Sequence, residues 1–64
     1  MQILINGQRA ECSDGLLSSL LAERGPEPPF AVAVNTVFVP KSRYAETVLQ
    51  EGDAVEIVRP VVGG

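Results

Sequence analysis

A chain of 64 residues, 45% hydrophobic and 20% charged, has the composition of one small globular domain rather than of a disordered segment. Its net charge of −3, with five Lys and Arg scattered at Arg9, Arg24, Lys41, Arg43 and Arg59, argues against a phosphate-tracking surface and so against nucleic-acid binding. With no His and one cysteine, the sequence excludes an internal disulfide, a zinc or iron–sulfur site built on several thiolates, and the usual neutral-pH proton shuttle.

Residues 2–6 alternate around Ile3 and Ile5 and run into Asn6-Gly7, a pair that tolerates positive φ and predicts a type I′ hairpin turn. The returning strand is expected over residues 8–12. Ser13-Asp14-Gly15 supplies a candidate helix N-cap. Leu16, Leu17, Leu20 and Leu21 then recur at three- and four-residue spacing opposite Ser18, Ser19, Glu23 and Arg24, which predicts an amphipathic helix of about ten residues. Gly25 suits a left-handed C-cap and Pro26 cannot extend the helix. Residues 26–29 (Pro-Glu-Pro-Pro) form a stiff connection to an apolar strand at Phe30–Val34, followed by Val37-Phe38-Val39, which stops at Pro40.

Residues 41–50 are less regular, with one helical turn expected near Tyr44–Thr47. Glu51-Gly52-Asp53 reads as a turn, and Ala54 to Arg59 as the last strand. Pro60-Val61-Val62-Gly63-Gly64 is a tail without a means of regular pairing. The domain is therefore expected over 1–59 and the tail over 60–64. Strand, strand, helix, strand, strand, strand gives an α+β fold in which one helix covers one face of one sheet. The expected inward residues are Ile3, Ile5, Leu17, Leu20, Leu21, Val32, Val34, Val55 and Ile57, with Leu49 closing the bottom.

No signal-like segment opens the chain and no apolar run reaches the roughly 20 residues needed to cross a bilayer, so a soluble cytoplasmic protein without membrane attachment is expected. No phosphate-binding glycine loop is present. Glu51 and Asp53 flank a turn glycine and read as turn residues rather than an acid–base pair. Cys12 has no neighbouring cation closer in sequence than Arg9 and reads as a small core hydrophobe. What remains is the carboxylate of Gly64. Without Cβ atoms, Gly63 and Gly64 can enter a narrow nucleotide site, where attack on the α-phosphate of ATP converts the carboxylate to a mixed anhydride with AMP. A sulfur nucleophile can then displace AMP and leave a thiocarboxylate. The chain supplies a handle and partner enzymes the catalysis, so it is expected to be a carrier and not an enzyme.

Ile3-Leu4-Ile5-Asn6-Gly7, Val32-Ala33-Val34-Asn35, Val39-Pro40-Lys41-Ser42, Glu51-Gly52-Asp53-Ala54-Val55-Glu56-Ile57-Val58 and Gly63-Gly64 occur in the order seen in one family. The chain resembles the thiamine-biosynthesis sulfur carriers, small ubiquitin-like β-grasp proteins, over essentially its whole length. The related molybdopterin-synthase small subunits share fold and tail but are usually longer. The resemblance implies adenylation of Gly64 by an E1-like adenylyltransferase that uses ATP, sulfur from a cysteine desulfurase system, and donation by the thiocarboxylate to thiazole synthase. It implies no bound cofactor or metal and a free monomer. It also implies that the first and last strands are parallel neighbours at the centre of a mixed sheet. Leu4 and Val58 would then lie side by side on the face opposite the helix, near Ala31 or Ala33, as a patch for partner docking.

The family often carries a third glycine where this chain has Val62, next to Gly63 in the stretch that partner enzymes would recognise. The residues themselves leave open another sulfur acceptor (molybdopterin precursor, tRNA thiolation or cysteine synthesis), a protein modifier joined through Gly64, or a binding module.

Overall fold

The computed structural model describes residues 1–59; Val62, Gly63 and Gly64 of the expected tail lie outside the described residues. Five strands form one sheet: β1 (Gln2–Ile5), β2 (Gln8–Glu11), β3 (Ala31–Val34), β4 (Val37–Val39) and β5 (Ala54–Val58). Their spatial order is β2-β1-β5-β3-β4, with β1 and β5 parallel at the centre and the other pairs antiparallel. One helix, α1 (Leu17–Arg24), follows β2, and a 3-10 helix spans Lys41–Glu46. The mixed sheet with one covering helix is the expected α+β, ubiquitin-like β-grasp arrangement.

Alternation within the strands sets the two faces. Ile3, Ile5, Val32, Val39 and Val55 are buried together with Leu17, Leu20 and Leu21 of α1 and Leu49. Val34 and Ile57, also expected inside, are half-buried against this cluster. Cys12 is 2% exposed and belongs to the core, as a small hydrophobe should. Val39 joins the core although only its strand had been legible. Phe30 and Tyr44 stack at 6.3 Å with their rings nearly parallel, 11° apart, and close the side of the core where the 3-10 helix passes.

The helix begins later than its local signals suggest. Leu16, not Ser13 or Asp14, occupies the N-cap, with extended φ −102° and ψ 131°, and α1 is eight residues long. The cause is non-local: Leu16 forms an antiparallel bridge with Val48, flanked by Leu17 N–H donating to the Thr47 carbonyl at 3.1 Å and Leu49 N–H to the Gly15 carbonyl at 2.6 Å. These bonds hold residue 16 extended and satisfy one of the orphan donors of the first turn. Asp14 contributes differently, its Oδ1 accepting from Leu16 N–H at 3.1 Å and its Oδ2 from the Ser19 hydroxyl at 2.7 Å. The Ser19 bond first, and the Leu16 bond second, hold its carboxyl below the ordinary value. Gly15 lies at φ +73°, a backbone conformation that strains residues with a Cβ, so this crossing is built for glycine. At the other end Gly25 adopts the left-handed conformation and its N–H donates to the Leu21 carbonyl at 2.8 Å, as expected.

Candidate functional site

The site is organised around β5, whose C-terminal end leads into the tail. Along its β3 side the strand is paired in continuous register, Val34↔Val55 through Ala31↔Val58. Along its β1 side only Leu4↔Ala54 and Ile5↔Val55 are paired, because β1 turns away at Asn6-Gly7. Both turn residues have positive φ, 50° and 82°. Leu4 N–H donates to the Asp53 carbonyl and Asn6 N–H to the Val55 carbonyl, each at 2.9 Å. The next outward-pointing backbone groups on that side belong to Ile57. Asn6 meets both: its Oδ1 accepts from Ile57 N–H at 2.8 Å and its Nδ2 donates to the Ile57 carbonyl at 3.2 Å. Beyond them, Arg59 Nη2 lies 3.7 Å from Glu27 Oε2 in the proline-rich connection, an exposed pair that contributes little on its own.

The face opposite α1 carries the side chains of alternate residues: Leu4 on β1, Ala54, Glu56 and Val58 on β5, Ala31 and Ala33 on β3, and Phe38 on β4. Leu4 and Val58 do share this face, at 36% and 53% exposure. They are not side by side. Leu4 is registered with Ala54, so Val58 lies four residues, roughly 13 Å, farther along the strand. Val58 is instead opposite Ala31, with Ala33 and its partner Phe38 in the adjoining row. Phe38 is 64% exposed and was missed from sequence. Its signal was the alternation of β4, since an inward Val39 turns residue 38 outward. Leu4 borders two open depressions, one with Gln2, Arg9 and Glu51, the other with Asn6, Gly7, Ala54 and Glu56.

Among the described residues no group of three metal-ligating side chains is close enough to hold an ion, and no helix is long and apolar enough to cross a membrane. The described part of the molecule thus offers a sheet face, apolar at the end of β5, and a route out of the sheet.

The ThiS family model matches residues 3–64. The sulfur carrier protein ThiS of Escherichia coli is 32% identical over 66 residues, with the whole of both chains covered. A thiazole synthase of Paramagnetospirillum magneticum is 38% identical over 66 residues, a match that takes in this entire chain but 20% of that protein. Among solved structures, the thiamine biosynthesis protein ThiS from Geobacter metallireducens has the same fold, with a TM-score of 0.85 over the whole of both chains at 23% identity. With a family match over nearly its full length and a carrier relative aligned from end to end, the chain belongs to the ThiS family.

Proposed function

We propose that this protein is a sulfur carrier of thiamine biosynthesis that works through the carboxylate of Gly64. An E1-like adenylyltransferase adenylates that carboxylate with ATP, pyrophosphate leaving. The outer sulfur of a persulfide formed by a cysteine desulfurase then displaces AMP to give an acyl disulfide. A second thiol attacks that disulfide, forming a new disulfide and releasing the thiocarboxylate, which gives its sulfur to thiazole synthase. The carrier holds no cofactor and performs no catalysis; Val62 and Gly63 are the residues a partner enzyme reads beside the reacting carboxylate.

The observation that carries this reading is the family match that continues through residue 64. Two further observations support it. A protein named thiazole synthase contains a segment similar to the whole of this chain, which supports thiazole synthase as the acceptor. The β5 strand also leads toward the tail from the sheet centre, beside an apolar surface. Leu4 and Val58 both contribute to docking in this reading, with Val58, Ala31, Ala33 and Phe38 forming the part against which the adenylyltransferase seats. Apolar side chains exposed together in this way are a common mark of a protein-binding face.

Intact-protein mass spectrometry after incubation with the adenylyltransferase, ATP, cysteine and the desulfurase tests the reading. The expected result is a mass gain equal to exchange of one oxygen for sulfur, lost when Gly64 is deleted or the chain is extended beyond it. Normal loading of either variant would exclude the terminal carboxylate as the site. A ladder of isopeptide adducts would identify a protein modifier instead.

A further inference from the structure

We propose that Asn6 is a positioning residue for the carboxyl-terminal glycine, acting through its side-chain clamp on Ile57. This inference rests on the carrier function proposed above. Asn-Gly is sufficient to explain the β1–β2 turn, since Asn and Gly both accept positive φ. The structure gives Asn6 a second task that a turn does not need. Its amide is directed across to a strand 51 residues later and matches one donor and one acceptor of the same residue, Ile57.

The placement of that clamp matters more than its existence. On the β3 side, pairing persists to Val58. On the β1 side, backbone pairing ends at Val55, and the Asn6 amide alone continues the ladder to Ile57. With both edges held, the last residues of β5 keep the strand direction, and the chain leaves the sheet next to Val58. With the β1 edge released, β5 hinges about its remaining bonds to β3. The reacting carboxylate lies seven residues beyond Ile57 in the sequence, so the clamp sets the point and direction from which the chain departs, while Val58 stays paired with Ala31 on the β3 side.

Asn35 provides an internal control. It occupies the equivalent position of the β3–β4 turn, at φ 50°, and also grips β5, its Oδ1 accepting from Ala54 N–H at 2.9 Å and its Nδ2 donating to Asp53 Oδ1 at 3.0 Å. That grip is at the start of β5, away from the exit.

The experiment compares steady-state adenylation and sulfur loading of the full chain and of Asn6→Gly and Asn35→Gly, both of which preserve the positive φ of the turn, at a temperature where circular dichroism shows each folded. For Asn6→Gly the expected result is a kcat lower by about tenfold with KM for the carrier unchanged within about twofold, the mark of lost orientation rather than lost docking. Asn35→Gly should retain both parameters. Asn6→Asp, which keeps the turn and the acceptor but loses the donor to the Ile57 carbonyl, should fall between Asn6→Gly and the unaltered chain. Equal kcat for Asn6→Gly and the unaltered chain, or an equal loss in Asn35→Gly, overturns the positioning role while leaving the carrier function intact. Failure of the unaltered chain to load overturns both.

Discussion

The two hairpins use the same local device under different constraints. Each has a two-residue turn with both residues at positive φ, each begins that turn with Asn, and each Asn side chain reaches over to β5. In the β1–β2 hairpin the second turn residue is Gly7, at φ 82°; in the β3–β4 hairpin it is Thr36, at φ 70°. A β-branched residue in that region is unfavourable by about 1–2 kcal/mol relative to glycine. Each hairpin sets one strand beside β5 and one at an edge of the sheet; the second leaves Val37 and Phe38 exposed. The difference teaches that two hairpins at equivalent places in the sheet can make the same turn, one with glycine and one at the cost of local strain at Thr36.

The largest effect should come from the core beneath each hairpin. Ile3 in β1 is 1% exposed and Val39 in β4 is 7% exposed. Ile3→Ala should cost about 2–5 kcal/mol, comparable to the whole stability of about 3–5 kcal/mol that a core of this size supplies, and should leave the chain largely unfolded. Val39→Ala removes less volume at an edge and should cost about 1–2 kcal/mol, leaving a folded domain. Thermal melts followed by circular dichroism compare them, and equal losses would erase the distinction between an inner and an edge strand.

Next in size is the exchange of turn residues. Gly7→Thr should destabilise by about 1–2 kcal/mol, and Thr36→Gly should stabilise by up to about 1 kcal/mol after the added chain entropy of glycine is counted. Urea midpoints measure both, and the comparison requires opposite signs.

The smallest effect lies outside both turns and calibrates them. The Asp14 carboxyl is lowered below 3.8 in the folded chain by the Ser19 and Leu16 bonds. Its contribution is therefore fully present above that ordinary value and disappears as pH falls through the lowered one. Asp14→Asn should reduce the urea midpoint slightly at neutral pH, with the gap closing in strong acid. A gap that widens in acid would contradict the sign.

Sequence patterns carried the strands and the end of the helix because those are decided locally. Alternation around Ile3 and Ile5, the Asn6-Gly7 turn and the Gly25 cap each concern residues within a few positions of one another. The start of α1 was misplaced because Leu16 is held extended by Val48, 32 positions away, which outweighs the Ser13-Asp14 cap signal. The Leu4–Val58 pair failed for a related reason: parallel register is set by what β1 and β5 bury together, Ile5 beside Val55, and no turn links the two strands to fix it. Asn6 could be read as a turn residue but not as a clamp, since its partner is remote. The terminal glycines stood out in the sequence, while the side-chain bonds that hold the end of β5 emerged only from the structure.

The central, parallel placement of β1 and β5 also has a mechanical meaning. A pull on the chain at Arg59 acts along β5, while the bonds from Leu4, Asn6 and the β3 backbone lie across the line of force. Loaded in shear, they share the tension together instead of opening one after another like a zipper. A partner that draws the end of this chain into a narrow channel therefore works against the whole sheet, and the small domain behind it behaves as a rigid anchor.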